Sequence, residues 1–104
     1  MNEKEAWAGD FSAVAQIMKQ LSDEVRVRIF WILCHEELGV LELAGLMKMS
    51  PPAVSHHLKV LRQADLISAR RDGRQVYYSS KDRPVAHFLQ SMIENLLSLS
   101  DTES

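Results

Sequence analysis

The sequence predicts a mainly α-helical domain carrying one small β-hairpin, about five helices plus a two-stranded wing. Three observations predict it. Apolar residues recur at helical i, i+3, i+4 spacing in successive stretches. Ser50-Pro51-Pro52 is a helix start placed directly after a tight connection, with Ser as N-cap and Pro where no N–H is needed. Two extended-type runs, Leu66 to Arg71 and Gln75 to Ser80, flank Asp72-Gly73, a strong hairpin signal. The 104 residues are one ordinary domain's length, and 46% apolar with 25% charged is average for a folded chain. No repeat, low-complexity tract or Pro/Gly-rich linker divides residues 1–104, which read as a single domain.

The first helix, about 9–20, has its stripe in Phe11, Val14, Ala15, Met18 and Leu21, widened by Ile17. Ser22 offers an N-cap oxygen to the second, with Asp23 and Glu24 in the first turn where negative charge favours the helix dipole. Val25, Ile29, Ile32 and Leu33 supply its buried face to about His35; Trp31 is expected in the core and Arg26 and Arg28 outside it. A short third helix spans Val40 to Met47, weakened at Gly45 by ~1 kcal/mol relative to Ala. The fourth runs from Ser50 to about Ala64. It buries Val54, Leu58 and Leu61 and leaves Ser55, His56, Lys59 and Arg62 for its other side. The hairpin occupies about 67–80, with Tyr77 and Tyr78 alternating between its faces and Arg70, Arg71 and Arg74 crowding its tip. Pro84 opens the last helix, about 84–99. Its stripe of Val85, Phe88, Leu89, Met92, Ile93, Leu96, Leu97 and Leu99 is broader than a small core requires, which predicts packing against a second copy.

Helix, helix, short helix, tight turn, helix, hairpin is the order of a winged helix-turn-helix, with the helix-turn-helix at about 40–64. In that fold the second helix of the pair enters the DNA major groove, whose width of about 12 Å admits one helix. The candidate DNA contacts are therefore Ser50, Pro52, Ser55, His56, Lys59 and Arg62 on that helix, and Arg70, Arg71, Arg74 and Gln75 on the wing. The charge distribution points the same way. The net charge is −2, but residues 1–47 carry four basic and eight acidic side chains, residues 48–83 eight and three, and residues 84–104 none and three. A charge run is ordinarily a solvated face; a basic middle between acidic flanks is also an electrostatic footprint for phosphate.

Other classes lose support. The longest apolar run, Ile29 to Cys34, is far short of the ~20 residues of a membrane span, so no membrane partner is expected. The acidic start, MNEKEAWAGD, is unlike a secretory signal, and one Cys without an intrachain partner fits a reducing cytoplasm. No paired carboxylates, Gly-rich phosphate loop or nucleophile–His pattern marks an enzyme, and no cofactor is called for.

Leu21 to Ile29, LSDEVRVRI, resembles the LSDPTRLRIL opening of the ArsR/SmtB family of small dimeric winged-helix repressors. Glu42 to Ser50 followed by Ala53 to Arg62 is similar to its helix-turn-helix, including the Ser-x-His-Leu-x-x-Leu-Arg core. Ala64 to Ile67 and Arg70 to Tyr78 are similar to its turn and wing. The resemblance covers about residues 14–98. It implies a homodimer formed by the first and last helices, binding an inverted-repeat operator in double-stranded DNA, with ligand binding releasing transcription. It also implies a hydrogen bond within the motif for His57.

The departures from that family concern metal. Its arsenic- and cadmium-type site uses Cys-x-Cys within ELCVCDL; here the stretch is Glu37-Leu-Gly39-Val-Leu41-Glu-Leu43, without either thiolate. Its zinc-type site uses Asp-x-His from one chain and His-x-x-Glu or His-x-x-His from the other. Asp82 is retained, but Pro84, Asn95 and Ser98 stand at the remaining ligands, and one ligand of four does not hold tetrahedral Zn²⁺. No metal site is therefore expected. His87 and Glu94, seven apart, lack a close third donor and read as surface or dimer-face polar groups. Cys34 reads as an apolar filler; sensing redox state through it is an alternative, as is a small-molecule inducer, or a winged helix whose basic hairpin meets an acidic protein. Trp7 reads as a staple onto the partner.

Overall fold

The structure, a computed structural model, describes residues 8–103; Trp7 lies outside them. The elements in chain order are α1 (Phe11–Gln20), α2 (Glu24–Leu33), α3 (Val40–Met47), α4 (Pro51–Gln63), β1 (Ile67–Asp72), β2 (Gln75–Ser80) and α5 (Pro84–Glu103). Among the described residues, the five helices and one antiparallel two-stranded hairpin are the predicted set. The last helix continues four residues beyond the expected 99.

Local chemistry fixes the joints. Asp10 caps α1 by accepting from the Ala13 N–H at 3.0 Å. The cap of α2 is Asp23, not Ser22: Asp23 holds the extended backbone and its carboxylate accepts from the Arg26 N–H at 3.0 Å. Ser22 instead donates its hydroxyl to the Lys19 carbonyl at 2.7 Å, closing the end of α1. Glu42 reaches back to the Gly39 N–H at 3.1 Å and so satisfies an orphan donor at the start of α3. Lys48 makes the tight turn between α3 and α4 in the left-handed region, φ 54°. Ser50 accepts from the Ala53 N–H, and Pro51 and Pro52 occupy the first two positions of α4.

The core lies where α2, α3 and α4 meet the hairpin root and α5. Ile29, Phe30, Leu43, Val54, Leu61 and Leu66 are fully buried there, joined by Leu33, Leu58, Ile67, Ala86, Leu89 and Ile93. Two expectations for α2 change. Phe30 takes the deepest aromatic position, while Trp31 is half-buried and leans its ring on His35, 4.3 Å between centroids. Arg26 is half-buried rather than outside, donating to the Gln20 carbonyl at 3.0 Å. None of the residues of α1 is buried: its apolar stripe touches the core only through Ile17, with Leu21 just beyond its end.

The hairpin pairs Ile67 with Ser80 through to Asp72 with Gln75. The turn is therefore Gly73-Arg74, one residue later than the Asp72-Gly73 signal. Gly73 has φ +63° at the first central position, which fits a type II′ turn. An isolated bridge between Leu38 and Tyr78, with N–H···O distances of 3.0 and 2.8 Å, ties the second strand to the loop before α3.

Candidate nucleic-acid interface

Helix α4 separates its residues by face. Val54, Leu58 and Leu61 are buried, and Pro52, Ser55, His56, Lys59, Arg62 and Gln63 are exposed. At 100° per residue these six fall within an arc of about 120°. The sequence requires this separation, because the apolar positions recur at the spacing that locks the opposite side into the core. Ser50 is exposed at the helix start, where its side chain closes the first turn.

Beside this arc lies an open hollow of about 380 Å³ lined by Ser55, Leu58, Lys59, Arg62, Gln63 and Tyr78. The structure thus brings the wing's second strand to the flank of α4 and adds Gln63 and Tyr78 to the candidate residues. Gln63 was legible in principle, being four residues after Lys59 on the same helical face. Tyr78 was not, because its place depends on how the hairpin folds back.

At the wing tip, Arg71, Arg74 and Gln75 are exposed. Arg70 is placed differently. Its Nε lies 3.1 and 3.2 Å from the two carboxylate oxygens of Glu37 and a terminal nitrogen lies 2.6 Å from one of them, while the guanidinium sits 5.1 Å from the Tyr77 ring centroid. Arg70 holds the Glu37 carboxyl below its usual range by hydrogen bond and charge, and Glu37 pushes the guanidinium's pKa up. The expected crowding of three like charges is relieved by this pair.

Behind the helix, His57 is half-buried. Its Nδ1 is buried with no hydrogen-bond partner among the described residues, so the bond implied for the motif is not made at that atom. Burial pushes the ring's pKa down against the opposing pull of Asp23. At the base of the wing, Asp65 adopts φ 60° and accepts from Lys81 Nζ and Arg83, the latter also donating to the Asp65 carbonyl at 2.9 Å. These two cations hold the Asp65 carboxyl below its ordinary range.

Away from the interface, Cys34 is half-buried against the core, and desolvation pushes its thiol up, with a hydrogen bond from Ser80 opposing and Glu94 reinforcing. His87 pairs with Asp82, Nε2 to Oδ1 2.6 Å, rather than with Glu94. Among the described residues no three His, Cys, Asp or Glu side chains converge as a metal cage would need. No described helix is long and apolar enough to cross a membrane.

Comparison with known proteins bears on this arrangement. The family described as "Bacterial regulatory protein, arsR family" matches residues 23–69, the span from the α2 cap through α4 into β1. A transcriptional repressor SmtB homolog from Synechocystis is 40% identical over 83 residues, covering 80% of this chain and 63% of that protein. The cadmium resistance transcriptional regulatory protein CadC of Listeria innocua is 34% identical over 82 residues, covering 78% and 69%. The crystal structure of the transcriptional regulator HlyU from Vibrio vulnificus superposes with a TM-score of 0.76 at 31% identity, covering 95% of this chain and 98% of that one. The chain therefore covers 98% of the HlyU chain but spans less than two thirds of the Synechocystis relative's length.

Proposed function

This chain belongs to the arsR family of bacterial regulatory proteins, and from that premise we propose that it is a sequence-specific, homodimeric DNA-binding repressor rather than an enzyme. One observation carries the reading. The polar 120° arc of α4 shares a hollow with Tyr78 of the wing's second strand, and both belong to the segment that holds eight basic residues and three acids. Ser55 and His56, toward the helix start, read base edges; Lys59 and Arg62 further along and Arg71, Arg74 and Gln75 on the wing meet phosphates; Ser50 and Pro52 shape the entry of the helix. The operator is an inverted repeat because two copies present two such helices.

The signal is not one of the metals that the SmtB- and CadC-type motifs hold. Gly39 and Leu41 stand where the soft site needs thiolates, and Pro84, Asn95 and Ser98 where the zinc site needs ligands. Stoichiometric Zn²⁺ or Cd²⁺ leaves operator affinity unchanged; a tenfold release, about 1.4 kcal/mol of coupling, overturns this. Sensing through Cys34 is disfavoured by the raised thiol pKa, since the thiolate is the reactive form.

Fluorescence anisotropy with a duplex from upstream of the chain's own gene tests the main reading. Ser55→Ala or His56→Ala reduces the preference for operator over random DNA. Arg71→Ala or Arg74→Ala weakens both equally and lowers the slope of log affinity against log salt by about 1. Equal loss on both duplexes for the first pair would refute base reading. Binding that ignores salt would instead favour a protein partner for the basic face.

A further inference from the structure

We propose that Glu37 and Arg70 form a clamp that sets the wing's angle to the helix-turn-helix, making Arg70 a positioning residue and not a phosphate contact. This rests on the DNA-binding reading above and refines it.

Successive strand residues face opposite sides of a hairpin, so Arg70 and Arg71 point apart although they adjoin in sequence. Arg71 is exposed. Arg70 faces back to the loop before α3, and both its Nε and a terminal nitrogen engage the Glu37 carboxylate. A guanidinium fork on a carboxylate has directional preference as well as charge, which a lysine–carboxylate pair lacks. Tyr77, the direct cross-strand partner of Arg70, supports the same guanidinium with its ring. Asp72 adds a second carboxylate at 3.9 Å. A phosphate at Arg70 would have to compete with these two carboxylates for a side chain that is 54% exposed.

The clamp lies next to the backbone bridge between Leu38 and Tyr78. An isolated two-stranded hairpin is at best marginally stable, so its orientation comes from such anchors. The bridge holds the middle of β2, and the ion pair holds β1 nearer the tip. Both end on the loop that leads into α3, the first helix of the helix-turn-helix. The wing and α4 therefore share one reference point, and the span between Arg71, Arg74 and the helix face is set by it.

Two readouts test the clamp. In the free protein, amide hydrogen exchange of the hairpin ladder is followed for Glu37→Ala, Arg70→Ala, the double variant, and the swap of Glu37→Arg with Arg70→Glu. In the complex, affinity for the upstream duplex is measured across a salt series. Either single substitution is expected to speed ladder exchange and to weaken DNA binding about two- to fivefold, the range of a well-formed exposed ion pair. The double variant is no worse than either single one, and the swap recovers most of the loss. Arg70→Ala leaves the salt slope unchanged, whereas Arg71→Ala lowers it by about 1. The proposal is overturned if Arg70→Ala lowers the slope by a full unit while Glu37→Ala tightens binding, the signature of a phosphate contact held back by a carboxylate. It is also overturned if neither substitution changes ladder exchange. A wild-type chain that ignores the duplex defeats the DNA-binding reading, and the exchange arm then judges the clamp alone.

Discussion

Asp65 shows how one side chain joins the helix-turn-helix and its hairpin to the rest of the molecule. It occupies the left-handed region, φ 60°, at the end of the helix-turn-helix, where Asn and Asp are tolerated better than other non-glycine residues. Its carboxylate gathers Lys81 and Arg83, which lead into α5. Because those cations depress its pKa, the ionised form is favoured by folding. The stability this supplies is complete above the unfolded carboxyl value of about 4 and is lost as pH falls through the lower folded value. Asp65→Asn keeps the shape and the left-handed tolerance and removes only the charge. The variant should have a lower urea midpoint than wild type at pH 7, with the gap closing as the pH is lowered below about 4. A gap of constant size from pH 7 to pH 3 would show that the ion pairs contribute nothing. His57 has the opposite sign. Its folded pKa is lowered by burial, so protonation below about 6.5 opposes folding, and acidification weakens the packing of α4.

The wing's turn isolates a backbone effect at the level of an element. Gly73 has φ +63°, and a Cβ placed there would meet no atom within 4 Å. Gly73→Ala therefore introduces left-handed strain without a clash, costing about 1 kcal/mol that appears as fraying of the hairpin before the helices melt. Exchange at the hydrogen-bonded ladder pairs Asp72–Gln75 and Arg70–Tyr77 should rise while exchange in α2 stays constant; uniform change across both elements would contradict this. The same turn shows where sequence reasoning reaches its limit. Asp72-Gly73 marked a turn, but register is chosen by which residues pair, and pairing Asp72 with Gln75 moves the turn to Gly73-Arg74. At the end of α2 and its cap the six apolar residues Ile29 to Cys34 are consecutive, so spacing alone does not say that Phe30 goes inward and Trp31 to the edge. The faces of α4 were legible because its apolar residues are spaced and its exposed ones polar. Glu37 and Arg70 were not paired from sequence, since a count of charges along the chain is blind to partners 33 residues apart.

The molecule as a whole leaves one side unfinished. Helix α1 buries none of its residues, and Met18 and Phe88 are 67% and 65% exposed on two different helices. Between these helices lies a hollow of about 340 Å³ lined by Val14, Ile17, Met18, Leu21, Val85, Phe88, Leu89 and Met92, without a polar residue among them. Phe11 on α1 and Leu96 and Leu99 on α5 are further exposed apolar side chains at the helical spacing of this stripe. An apolar area of this continuity on two adjacent helices is stabilised by burial against another surface, and a second copy offers the same one by two-fold symmetry. On the proposed DNA-binding reading, the geometry of the duplex favours that partner too. Half-sites one turn apart are about 34 Å from centre to centre, a spacing two copies joined through these helices would have to meet. Joining the two reading heads makes the second contact effectively intramolecular, which raises overall affinity by about 10² to 10⁴ over one head. Phe88→Glu places a charge in the middle of this surface. It is expected to convert the proposed dimer to monomer in sedimentation velocity and to lower operator affinity by about 10²-fold or more, with the single-chain fold retained by circular dichroism. Leu46→Glu, at an exposed apolar position on α3 remote from that hollow, serves as the control and should leave both mass and affinity as they are. If Phe88→Glu sediments as a dimer, the α1–α5 surface is not where the copies meet, and the spacing of the two α4 helices on DNA must be set elsewhere.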